Sequence, residues 1–172
     1  AVGNYLFLEA SGCYFMEGIL ESPCLNLDTL NSPSFGFAYY MYGVDLGEIF
    51  VDIDTGGVWT NLFALTGQQQ FSDTEPWGIA DIDLSLFSGI VKLRIRGITG
   101  SSFTSDIAID DLVIYDKPPV DVGVTFFNNP NSGYLLGSAE TVSIIVKNLG
   151  TDPQDTIPIG YSLNGGTPVL DT

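Results

Sequence analysis

The residues able to do chemistry in this chain are mostly carboxylates: 21 Asp and Glu stand against 5 Lys and Arg, with no histidine. Without a histidine or a G-x-S-x-G turn, a nucleophile relay has no base to run on. Paired carboxylates hydrolyse glycosides, but among 21 acids such pairs arise by chance. We therefore expect no catalytic residue and no enzyme. Asp52-Ile53-Asp54-Thr55-Gly56-Gly57 imitates the opening of a calcium loop, but Phe63 stands where that loop requires a bidentate Glu. A hairpin turn with outward acids explains the stretch better.

Three of the five bases, Lys92, Arg94 and Arg96, share one face of one alternating stretch. As a ligand site they would form a cationic strip for an acidic or sulfated glycan. As structure they would pair with acid rows such as Asp81/Asp83 or Glu48/Asp52/Asp54, each pair contributing roughly 0.2–1 kcal/mol, and this is the reading we favour. Trp59, Phe71 and Trp77 are the aromatics able to stack on sugars if exposed, although core packing is the commoner fate of Trp. Cys13 and Cys24 flank a short segment ending at Pro23. In a chain without histidine they favour a disulfide over a metal, which usually takes four ligands. The alternative is two reduced, buried thiols.

Elements of short period must position these residues. The chain of 172 residues is 45% hydrophobic and 12% aromatic, enough to fill a core. No helical period is sustained for three turns. The acid excess argues against nucleic acid as a partner, and no apolar window is long enough for membrane insertion. The chain opens Ala-Val-Gly-Asn, without Met, and reads as a piece of something longer, so a missing targeting signal carries no weight.

The centre of the pattern is Phe35–Leu65, read as a three-stranded meander of Phe35–Tyr42, Glu48–Asp54 and Val58–Leu65. In Glu48–Asp54, Ile49, Val51 and Ile53 face in, while Glu48, Phe50, Asp52 and Asp54 face out. Further strands are expected at Asn4–Ala10, Ala80–Leu84, Ile90–Gly97 and Asp106–Tyr115. After the linker Lys117-Pro118-Pro119, the pattern restarts with Asp121–Phe127, Glu140–Asn148 and Ile157–Leu163. The fold class is all-β.

The segments YLFLEASG, SP, the aromatic strand ending YYMYG, DLGEIFVDIDTGG, VKLRIRGITGSSF and DIAIDDLVI resemble a MAM domain, from Gly3 to about Tyr115. That family is known from meprins, neuropilins, receptor tyrosine phosphatases and secreted bacterial proteins. The resemblance implies an antiparallel jelly-roll β-sandwich, an extracellular or cell-surface setting and an adhesion role. MAM domains usually begin some tens of residues earlier, so a jelly roll lacking its first strand is expected. DVGV, VSIIVKNLGT and YSLNGG resemble the start of an immunoglobulin-like module of the CARDB kind. A complete sandwich of that sort needs roughly 100 residues, so a truncated module is expected. The implied domains are 1–117 and 118–172. The implied function is a non-catalytic adhesion or interaction module of a larger secreted or surface protein, with a protein or polysaccharide partner. The alternative is a carbohydrate-binding accessory module of a secreted hydrolase, either a glycosidase or a protease.

Strict alternation along Asp106–Tyr115 would set Asp110 and Asp111 on opposite, largely apolar faces. A buried carboxylate is costly unless paired. Ca²⁺, which takes 6–8 oxygen ligands, would relieve that cost, and the jelly-roll resemblance favours a structural calcium. The expected ligands are Asp110 and Asp111, with Glu9 if its strand lies alongside. Otherwise the two aspartates accept hydrogen bonds from loop N–H groups.

Overall fold

Alternation between buried and outward residues accounts for the strands at Glu48–Asp54, Gly78–Asp83 and Ile90–Ile98. A computed structural model of the chain describes residues 3–130, 137 and 139–171. The chain divides into two units, Ala1–Asp116 and Lys117–Thr172. In the first, β1 (Leu6–Leu8), β2 (Glu17–Glu21), β3 (Leu25–Asn26), β4 (Pro33–Tyr40), β5 (Glu48–Asp54), β6 (Trp59–Thr66), β7 (Gly78–Asp83), β8 (Ile90–Ile98) and β9 (Ile107–Asp116) follow in order, with one 3-10 turn at Leu27–Thr29. One sheet has the order β1-β9-β4-β7; the other has β2-β8-β5-β6, with β3 also on β8. All these strand pairs are antiparallel. The arrangement is all-β and consistent with a β-sandwich.

The two sheets share one core. Phe35 and Phe37 from β4 lie in the same buried cluster as Ile49, Val51 and Ile53 from β5 and Val91, Leu93 and Ile95 from β8. Phe37 meets Phe63 edge-on across the sheets, with ring centroids 6.0 Å apart. An aromatic core of this kind combines large buried area with oriented ring contacts.

The expected meander is corrected in one place. β5 and β6 do form a hairpin, but β4 pairs with β7 and β9, in the other sheet. Residues 41–47 therefore carry the chain from one sheet to the other. Periodicity reports which face is buried but not which strand lies alongside, so a crossover and a hairpin look the same at this level.

The disulfide is corrected as well: Cys13 and Cys24 are both exposed and unbonded. The extended strand β2 separates them. The Cys13 carbonyl accepts a hydrogen bond from the Thr99 hydroxyl, whereas Leu25, next to Cys24, pairs with Val91. The cysteines thus lie about seven positions apart along β8, on the order of 20 Å at the rise of a strand. A bridge needs Cα atoms within about 7 Å. Neither thiol is buried, so the alternative reading is corrected too.

In the second unit, β10 (Val122–Asn129) pairs with β11 (Ser143–Asn148), and β12 (Ile159–Tyr161) with β13 (Val169–Asp171), as two separate ribbons. None of its described side chains is buried. The expected strand at Glu140–Asn148 starts later, at Ser143, and β13 was not anticipated.

The placement of the cysteines makes a direct prediction. The denatured, unreduced chain should titrate two free thiols. A titre of zero, with monomeric protein, would show that the two ends of β2 come together as this fold does not allow.

Candidate functional site

The outer face of β2-β8-β5-β6 holds the residues expected to bind ligand. Register sets Arg94 opposite Asp52, Lys92 opposite Asp54 and Arg96 opposite Phe50. Asp52 is only 2% exposed although it points away from the core. Its Oδ2 accepts hydrogen bonds from Arg94 Nε at 2.8 Å and Arg96 Nε at 2.6 Å. Its Oδ1 accepts one from Asn61 Nδ2 at 2.9 Å. Arg96 also reaches Glu17 at 2.9 Å. The Arg94 guanidinium lies 4.2 Å from the centroid of Trp59, and that of Arg96 lies 4.6 Å from Phe50, so each cation also has an aromatic face.

Asn61 arrives there through a bulge. Val51 pairs with Phe63 but Asp52 pairs with Asn61, leaving Leu62 as an extra residue in β6. The insertion reverses the alternation of β6, so Phe63 faces the core while Asn61 faces Asp52. Burial pushes the Asp52 carboxyl upward, but hydrogen bonds from Arg96, Asn61 and Arg94, with the charge of Arg96, outweigh it and hold the pKa at about 2. Two of the three bases in the expected strip are therefore committed to internal carboxylates. Asp54 closes the following turn, accepting from Gly56 N at 2.8 Å and Gly57 N at 2.5 Å. That is the hairpin reading of the stretch resembling a calcium loop.

The expected calcium ligands are not brought together. β9 carries its own bulge: Gly36 pairs with Val113 and Ala38 with Asp110, so Asp111 and Leu112 together oppose Phe37. Asp111 sits there at φ 52°, a region that Asp tolerates better than most residues. The bulge breaks the alternation, turning Asp111 out into solvent and leaving Asp110 half-buried. The premise of two carboxylates on apolar faces is thereby corrected. Asp110 Oδ1 accepts from Asp111 N at 2.8 Å. Glu9 is exposed and bonds to Ser11 N. Because Leu8 pairs with Ile107, Glu9 lies about four residues along β9 from Asp110, on the order of 13 Å. Among the described residues, no group of three or more His, Cys, Asp or Glu side chains is placed to hold a metal ion.

Trp77 belongs to a different surface from Trp59. It sits at the start of β7, with ring centroids 5.5 Å from Tyr5 and 5.6 Å from Tyr40. Tyr5 continues to Phe7 at 6.3 Å, and Tyr40 to Tyr42 at 6.5 Å. These five rings line the outer face of β1-β9-β4-β7. Tyr5 and Phe7 are 52% and 58% exposed. Tyr40 is anchored by its hydroxyl, which donates to the Ser72 carbonyl at 3.0 Å. Sequence reasoning singled out Trp77 alone from this row. The missing signal was parity: in the aromatic run, Phe35, Phe37, Tyr39 and Met41 share the inward side, which sends Tyr40 and Tyr42 out. Phe71 is exposed elsewhere, in the β6–β7 connection.

The chain matches no protein-family model, so the resemblance to MAM domains rests on the motif residues themselves.

The Asp52 network generates a prediction with a definite sign. Its folded pKa of about 2 lies below the unfolded value near 3.9. Its contribution is thus fully present above about pH 4 and lost as the pH falls toward 2. Asp52→Asn should cost about 2–3 kcal/mol at pH 7 and reduce the loss of stability between pH 4 and 2. Chemical denaturation across this range is the measurement. Equal stability of variant and wild type at pH 7 would rule out the network as a stabilising element.

Proposed function

We propose that the first unit is a non-catalytic, MAM-like jelly-roll module that serves adhesion or interaction in a larger secreted or cell-surface protein, followed by an immunoglobulin-like module of the CARDB kind. The observation that carries the adhesion reading is the aromatic row Phe7, Tyr5, Trp77, Tyr40 and Tyr42 on one sheet face. Large aromatic side chains kept partly in water mark interaction surfaces, and Tyr, Trp and Phe are the residues enriched at interface cores. The jelly-roll reading draws support from the chain's path. After β4 it enters the other sheet for β5 and β6, returns for β7, leaves for β8 and returns for β9. The extracellular setting follows from the motif resemblance alone, since the cysteines form no bridge.

The carbohydrate-binding alternative keeps a specific support, because aromatic rings standing side by side also stack on sugars. It no longer draws on the cationic strip, as Arg94 and Arg96 are engaged by Asp52.

Beads coated with the full chain, presented to glass bearing a heavily glycosylated glycoprotein, should adhere. Tyr5→Ser/Phe7→Ser beads should lose at least tenfold. Adhesion kept after enzymatic deglycosylation of the glass supports the protein partner; adhesion lost with the glycans supports the carbohydrate alternative. Equal adhesion of variant and wild-type beads would sink both readings of this face.

A further inference from the structure

A separate feature lies at the end of the first unit where three connections meet: 41–47, 67–77 and 99–106. Together they border an open cleft of about 640 Å³, lined among others by Tyr42, Gln68, Phe71, Phe103, Thr104 and Asp106. Phe71 is 75% exposed and Phe103 66%. Each ring forgoes the burial that is the usual fate of a phenylalanine.

The loops presenting these rings are locked in place. Gln70, 4% exposed, accepts from Met41 N at 2.7 Å through its side chain, while Gln69 N donates to the Met41 carbonyl at 2.8 Å. Ser105, fully buried, accepts from Gly100 N at 3.0 Å and donates to the Ser102 carbonyl at 2.7 Å. The Asp45 carboxylate accepts from Thr104 Oγ1 at 3.2 Å. Backbone meets backbone so closely that a Cβ on Gly43 would lie 2.0 Å from the Thr104 oxygen, and one on Gly100 1.6 Å from the Asp45 oxygen. Loops tied this tightly do not let the two phenylalanines fold back into the core. Preorganised loops carrying apolar rings beside polar groups have the make-up of a small-ligand site.

We propose that this cleft binds an uncharged glycan, with the C–H faces of its pyranose rings on Phe71 and Phe103 and its hydroxyls bonded by Tyr42, Gln68, Thr104 and Asp106. Two observations select this ligand. The three connections contain Asp45, Asp73, Glu75 and Asp106 but no Lys or Arg, so uronic and sulfated sugars meet only like charge. An apolar peptide laid over the cleft would strip water from its amide, hydroxyl and carboxylate groups without replacing it, whereas sugar hydroxyls replace it. Asp106 Oδ1 is already held by Ala10 N at 2.8 Å, which orients that carboxylate. The cleft shares only Tyr42 with the aromatic row, so it stands or falls independently of the adhesion reading.

The test is calorimetric titration of the full chain with neutral hexasaccharides of glucose (both β-1,3- and β-1,4-linked), mannose and xylose, and with uronic and sulfated hexamers as charged controls. At least one neutral hexamer is expected to bind more tightly than either control. Phe71→Ala and Phe103→Ala should each weaken it at least fivefold with unchanged melting temperature, and Tyr5→Ser/Phe7→Ser should leave it intact. Phe71→Leu/Phe103→Leu, which keeps apolar bulk but removes the flat rings, should lose binding as well and guards against a folding defect. Overturning results are no binding of any neutral hexamer, tighter binding of a charged one, or binding that survives the leucine pair.

Discussion

Asp52 is a carboxylate at 2% exposure on the outer face of a sheet, and the surrounding residues are arranged to satisfy it. An ionised group withdrawn from water is tolerable only with charged partners and saturated oxygens. Here Arg94 and Arg96 come from the paired strand β8, and Asn61 arrives through a bulge in β6. Trp59 and Phe50 lie against the two guanidinium groups and help to shield the centre. This constraint also favours one register for β5 against β8. A slip of one residue would place Asp52 opposite an inward-facing residue such as Leu93 or Ile95 and leave both arginines without their acid.

Satisfying that charge divides the labour between the two sheets. The chain has five bases, and two of them are tied to Asp52. On the face that looked most ready to meet an acidic ligand, Glu17, Glu21, Glu48, Asp52 and Asp54 thus outnumber Lys92, Arg94 and Arg96. On the outer face of β1-β9-β4-β7 the central carboxylate, Asp110, is only half-buried. There Ala108 lies in register with both Phe7 and Tyr40, and Ala38 lies two residues along β4 on the same face, in register with Asp110 and Ile79. These alanines are 9% and 1% exposed although alternation turns them outward. Small residues beneath large rings let the aromatics lie over the sheet, with Tyr40 and Trp77 packed down while Tyr5 and Phe7 stay open at the edge strand.

What could be read in the sequence follows from which rule governed each residue. Where strict alternation held, as in Ile49, Val51 and Ile53 of β5 or Val91, Leu93 and Ile95 of β8, the inward face was legible. Of the two acid rows weighed as partners for Lys92, Arg94 and Arg96, the structure sets Asp52 of β5 against Arg94 and Arg96, whereas Asp81 and Asp83 lie on β7 in the other sheet; alternation showed the outward rows but not which of them were adjacent. Alternation failed at the two bulges. At Leu62 it hid the role of Asn61, and at Asp111 it made an exposed aspartate look buried, which is how a calcium site came to be expected. The Cys13–Cys24 pairing failed because the intervening residues form β2: eleven positions suffice for a closed loop if the chain turns back, but not if it runs extended. Sheet membership of β4 was beyond reach, because nothing local separates a crossover from a hairpin.

The exposed phenylalanines of the loop end differ in kind from these misreadings. Phe71 and Phe103 obey no strand period, and a lone phenylalanine in a polar stretch is as readily a core plug as a surface residue. Long-range backbone contact decides between the two. Gly43 against Thr104 and Gly100 against Asp45 bring distant connections closer than any side chain would permit, and each glycine looked in isolation like an ordinary turn residue. Once these contacts are made, the rings cannot turn inward without separating the loops, and separation would break the buried hydrogen bonds of Gln70 and Ser105. The exposure of the two rings is therefore a consequence of how the sandwich is closed at that end, so any ligand that covers them meets a surface already formed before it arrives.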